Sequence, residues 1–88
     1  MEYLFFTYPN CQKCDALKES LQNTEFQGQE FNLTSKESKL KIRDYLKVLK
    51  RDDKGGIIIP TLIFKEEEDV VSVINDHEEL SQWLRSKG

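Results

Sequence analysis

The most hydrophobic segment of the chain, Ile57-Ile58-Ile59-Pro60-Thr61-Leu62-Ile63-Phe64, is short and interrupted by a proline. A membrane-spanning helix needs roughly 18 consecutive apolar residues, so this run reads instead as the central strand of a sheet. Proline has no N–H to donate to a β-ladder, which makes Pro60 the beginning of the strand, with Thr61 to Phe64 paired after it. A strand this apolar must sit between neighbouring strands and under covering helices, and the remaining sequence is arranged to supply both.

Leu4-Phe5-Phe6, flanked by Tyr3 and Thr7, is a buried-strand pattern ended by the turn dipeptide Pro9-Asn10. From Cys11 to about Asn23 there is no Gly or Pro, and Cys14, Leu17 and Leu21 form one apolar stripe at helical spacing. Gln29 to Leu33 is a weaker strand candidate, with Phe31 and Leu33 on one face. Thr34-Ser35 offers an N-cap for a helix from about Lys36 to Lys50 that turns Ile42, Tyr45, Leu46 and Leu49 inward, before Gly55-Gly56 breaks the pattern. After Phe64, the acidic turn Glu66-Glu67-Glu68-Asp69 leads into Val70-Val71-Ser72-Val73-Ile74, a hairpin. Asn75 or Asp76 caps a last helix whose inner set is Leu80, Trp83 and Leu84. The predicted order is β-α-β-α-β-β-α, an α/β fold with a four-stranded mixed sheet, helices on both faces, and a parallel first pair of strands.

With 88 residues the chain makes one domain, 1–88, with a modest core. The opening Met1-Glu2-Tyr3-Leu4 carries an acid where a secretory signal carries bases, and its apolar stretch ends by Pro9. No membrane association is expected, and the cytoplasm is the expected location. The net charge of −3 is unevenly spread: residues 36–54 hold eight bases and four acids, leaving five bases and twelve acids elsewhere. Glu37, Asp44, Asp52 and Asp53 interleave with those bases without an aromatic cluster, so the segment reads as a solvated mixed-charge helix and no nucleic acid is expected as a partner.

The two cysteines carry the chemistry. Cys11 and Cys14 stand in Pro9-Asn10-Cys11-Gln12-Lys13-Cys14, directly after the first strand. A thiol attacks as its thiolate, and at the start of a helix unpaired N–H groups and the helix dipole favour that anion. Cys11 is therefore the expected nucleophile. Cys14, one turn later and deeper in the apolar stripe, is within disulfide reach and is the expected resolving thiol. Lys13, between them, adds a weak, screened push toward thiolate. Two alternatives stand beside this one. Four thiolates from two chains can hold zinc or an iron–sulfur cluster, which would make the protein a metal or cluster carrier. A non-catalytic adaptor that binds extended peptides is the other. His77 is far away in sequence, at the start of the last helix, and reads as a solvent-facing residue.

Phe5 to Cys14, the later Ile59-Pro60-Thr61, and Ile42-Arg43-Asp44-Tyr45-Leu46 between them resemble a glutaredoxin, within the wider thioredoxin-fold superfamily, over nearly the whole chain. The resemblance implies a cytoplasmic thiol–disulfide oxidoreductase with Cys11 and Cys14 catalytic. It implies a cis Pro60 facing the pair, and a backbone at Ile59 that pairs with an extended substrate segment. Tyr8, Ile59, Pro60, Thr61 and Lys13 are the implied substrate-binding residues, with Arg51 or Lys54 as candidate cations. No bound metal or organic cofactor is implied. The partners are a disulfide-containing protein or glutathione mixed disulfide, and either glutathione or a flavoprotein reductase such as thioredoxin reductase as electron donor, acting on a monomer. The sequence departs from the family at three places. Gln12-Lys13 replaces the usual Pro-Tyr, and Tyr8 replaces a lysine. Asn75-Asp76-His77-Glu78-Glu79 stands where a Gly-Gly approached by glutathione is usual, and its acids would repel glutathione's carboxylates.

Overall fold

Apolar alternation in Tyr3 to Phe6 sorts side chains to two faces of one strand, and both faces are buried in the computed structural model, which describes residues 1–87. Gly88, the last residue of the expected domain, lies outside the described residues. The elements are β1 (Glu2–Thr7), α1 (Gln12–Gln22), β2 (Gln27–Asn32), α2 (Lys36–Arg43), β3 (Thr61–Glu66), β4 (Asp69–Ile74) and α3 (His77–Lys87). They form a small α/β structure with one four-stranded mixed sheet in the order β2-β1-β3-β4. β1 runs parallel to β2 and antiparallel to β3, and β3 is antiparallel to β4.

Phe5, Leu62, Phe64 and Ile74 point to one face, where Leu17 and Leu21 of α1 and Leu80 of α3 cover them. Phe64 is the hub: its ring stacks on Trp83 at 4.2 Å and meets Phe26 edge-on at 5.0 Å. Phe6 and Ile63 point to the other face, under Ile42, Leu49 and Leu33. Phe6 stacks on Phe31, its register partner across the parallel pair, at 5.2 Å. Among the described residues no helix is long and apolar enough to cross a membrane.

Three boundaries differ from the sequence expectation. The second strand spans Gln27–Asn32 rather than Gln29 to Leu33, because pairing to β1 starts at Glu2↔Gln27, while Leu33 only donates its N–H to the Thr7 carbonyl at 2.8 Å. This early start needs a glycine at position 28, since a Cβ there would run into the Tyr3 carbonyl and ring. The second helix ends at Arg43 instead of Lys50. Beyond it Asp44, Tyr45, Leu46 and Val48 each donate to the carbonyl three residues back, and these tighter turns align Ile42 with Tyr45 and Leu46 with Leu49. The inward set is the expected one, reached through a different backbone. The hairpin turn is tighter too, reduced to Glu67 and Glu68, with Glu67 at φ 58.

Candidate functional site

The turn after β1 sets the site. Asn10 sits in the left-handed region at φ 56, a conformation that asparagine tolerates better than most residues, and it redirects the chain so that Cys11 becomes the N-cap of α1. The sequence reading put Cys11 inside the first turn; it lies one residue earlier, and the difference favours its chemistry. In the cap position its own side chain satisfies the helix: Cys11 Sγ accepts the Cys14 N–H at 3.1 Å. Cys11 is half-buried, and Cys14 is 4% exposed, on the inward stripe with Leu17 and Leu21. The two are joined as a disulfide, with their Cα atoms 5.2 Å apart.

When that bond is reduced, a negative charge on Cys11 Sγ receives the Cys14 N–H and the positive end of the α1 dipole, whereas Cys14 is enclosed by side chains. The pair is chemically unequal. Cys11 is the more accessible of the two, and Cys14 is enclosed behind it. The capping role makes a stability prediction. In the reduced state Cys11→Ala should destabilise the protein by about 1 kcal/mol, while Cys11→Ser, which keeps a capping oxygen, should cost little. Urea unfolding under reductant checks this, and equal midpoints for the two variants would contradict the cap.

Across the sheet, Phe6 pairs with Thr61, so β1 ends beside the point where β3 begins. The Ile59–Pro60 peptide bond there is cis, as the resemblance implies. Among the described residues neither the N–H nor the C=O of Ile59 has a hydrogen-bond partner, in a loop whose other carbonyls at 58 and 60 are both engaged. Ile59 is half-buried and Tyr8, at 48% exposure, is open to solvent. Both line one apolar groove with Leu33, Ile42, Ile57 and Lys39.

The expected binding residues therefore separate. Tyr8 and Ile59 meet at the groove. Pro60 and Thr61 are buried and do not line it, with Thr61 Oγ1 lacking a partner among the described residues. Lys13 is exposed on α1 and is not among the residues lining the groove. Arg51 donates to the Gly55 carbonyl at 3.0 Å within its own loop, and neither it nor Lys54 lines the groove. The groove's cation is Lys39, which the sequence reading passed over. It sits one turn into α2, three residues before the buried Ile42, a spacing that places it at the margin of the apolar face. Among the described residues no group of three or more His, Cys, Asp or Glu is arranged to hold a metal ion, and His77 lines a separate cavity with Ala16, Glu19, Ser20 and Asn23.

The chain matches no family model and no curated protein sequence. Its structure is similar to a solved structure of a malarial protein, with a TM-score of 0.61 at 15% identity, covering 96% of this chain and 92% of that one. At that identity the likeness concerns the fold alone.

Proposed function

We propose that the protein is a glutaredoxin-like thiol–disulfide oxidoreductase with a thioredoxin-type fold, using Cys11 as nucleophile and Cys14 as resolving thiol. The observation that carries the reading is the cap: Cys11 Sγ accepts the α1 N–H at 3.1 Å while Cys14, one turn behind, is buried. The unpaired backbone of Ile59 beside a cis proline supports it, because it leaves a short strand edge open to an extended partner.

In the proposed cycle the Cys11 thiolate attacks one sulfur of a substrate disulfide, forming a mixed disulfide and expelling the other sulfur as a thiolate that takes up a proton. Cys14 then gives up its proton and attacks Cys11 Sγ. The second substrate thiolate leaves, and the Cys11–Cys14 disulfide remains. Two electrons have passed to the substrate. Glutathione or a flavoprotein reductase returns them, in a reducing cytoplasm. Tyr8, Ile59 and the apolar groove receive the chain around the substrate disulfide.

The test presents the oxidised protein with glutathione and glutathione reductase, and separately with thioredoxin reductase, each with NADPH. Steady NADPH oxidation on adding a disulfide substrate is expected in at least one system. Oxidation in neither would sink the enzymatic reading.

A further inference from the structure

The segment that carries Ile59 hangs at the end of a long loop, and its tip is held together locally. Asp52 Oδ1 accepts from the N–H groups of Lys54 and Gly56, each at 2.9 Å, and Asp52 N–H donates to the Gly56 carbonyl at 2.8 Å. The return limb toward Pro60 is secured differently. Asn75, between β4 and α3, is 6% exposed, and its Nδ2 donates to the carbonyls of Ile58 at 3.2 Å and Pro60 at 3.0 Å. These two carbonyls flank Ile59. The Ile58 carbonyl shares its peptide plane with the Ile59 N–H, and the Pro60 carbonyl lies one plane beyond the Ile59 carbonyl, so the two bonds fix the first plane directly and bracket the second.

Asn75 is itself rigidly placed. Its N–H donates to Glu79 Oε1 at 3.2 Å, and the other oxygen of that carboxylate pairs with Lys50 Nζ on the opposite limb of the loop. Asp76 Oδ1 caps α3 by accepting the Glu79 N–H at 2.8 Å. Asn75 Oδ1, by contrast, has no partner among the described residues. An asparagine buried with both amide protons used and its oxygen unmatched is held there for its donors, since leaving a buried polar atom unpaired is costly.

We infer that Asn75 is a positioning residue that sets the Ile59 backbone at the distance and angle an extended substrate segment requires. This rests on the oxidoreductase reading and assigns it a determinant of peptide-substrate affinity outside the cysteine motif. A small disulfide that makes no strand-like pairing has no need of the clamp.

The test compares a disulfide-linked extended peptide with hydroxyethyl disulfide as substrates. Asn75→Leu, similar in size but without donors, should raise KM for the peptide about tenfold, the scale of losing one to two neutral hydrogen bonds. Its kcat for the peptide and its rate with hydroxyethyl disulfide should stay unchanged. The Ile58 amide, which donates to the Lys50 carbonyl at 3.3 Å, should lose hydrogen-exchange protection while the Phe64 amide in the core keeps it. Asn75→Asp places an acceptor against two carbonyls. The new carboxyl is pushed toward its neutral form, and once protonated it regains one donor. Relative to wild type at the same pH, the peptide KM of this variant should recover as pH falls, which a purely structural lesion would not do. Equal slowing with both substrates, or unchanged Ile58 protection and unchanged KM in Asn75→Leu, overturns the assignment of Asn75 alone. A wild type that reduces neither substrate overturns the oxidoreductase reading, and the docking role goes with it.

Discussion

On the proposed mechanism Cys11→Ser is expected to abolish disulfide reduction, lowering the rate by on the order of a thousandfold or more, because the remaining thiol, Cys14, is enclosed where an external disulfide does not reach it. The variant is unusually clean. Serine is a preferred N-cap, so its oxygen takes over acceptance of the Cys14 N–H, and the fold should be retained under reductant. The complementary variant, Cys14→Ser, leaves the attack intact and removes the step that releases substrate. It should accumulate a mixed disulfide on Cys11 that mass spectrometry detects and that added thiol reverses. Residual reduction by Cys11→Ser at a rate close to wild type would remove Cys11 from the mechanism. The reduced wild type should show thiolate absorbance appearing at a pH below the free-cysteine value of about 8.5, and only one of the two sulfurs should ionise early.

The largest expected effect on stability lies elsewhere, at Phe64. Its ring is fully buried between Trp83, Phe26 and Tyr3, joining β3 to α3 and to the segment before β2. Phe64→Ala should cost about 3–5 kcal/mol from lost transfer energy and the cavity left behind. A domain of this length has only about 4–13 kcal/mol in total, so the variant should be close to unfolding at room temperature. Phe64→Leu, which retains much of the volume, should lose far less. Urea unfolding followed by Trp83 fluorescence measures both, and a loss below about 1 kcal/mol in Phe64→Ala would mean that the aromatic cluster is not the centre of the core. Activity is an informative control. Phe64 is on the sheet face away from the groove that Tyr8 and Ile59 line, so the groove should be unaltered in whatever folded Phe64→Leu remains, and any change in rate at Cys11 would come through α1, which packs on the same face as Phe64.

Local patterns made several elements readable in advance. The stripe of Cys14, Leu17 and Leu21 is buried as its spacing requires, and β3 begins directly after Pro60 because a proline has no donor to place within a strand. Ile42, Tyr45, Leu46 and Leu49 all pack on the expected face although the helix beneath them stops at Arg43. Burial was encoded in which residues are apolar, whereas the switch from four-residue to three-residue hydrogen bonding was not. No breaker marks it, and it follows from packing these side chains against Phe6 and Ile63. The start of β2 was hidden for a related reason. Gln27 and Gly28 have no apolar signal, and they are strand only because β1 offers them a parallel partner.

The site divides along the same line. From the order of residues alone one can see that two sulfurs sit one helical turn apart behind a strand and a turn, since periodicity and turn chemistry act within a few residues of each other. Which sulfur is the cap, which is enclosed, and what borders them depend on contacts between segments tens of residues apart. The pairing of Phe6 with Thr61 brings the Ile59 loop to the end of β1, where it lines one groove with Tyr8, and Asn75 reaches back to hold it. A side-chain amide has no local pattern that names its distant acceptors, so its partners emerge only when the chain closes on itself.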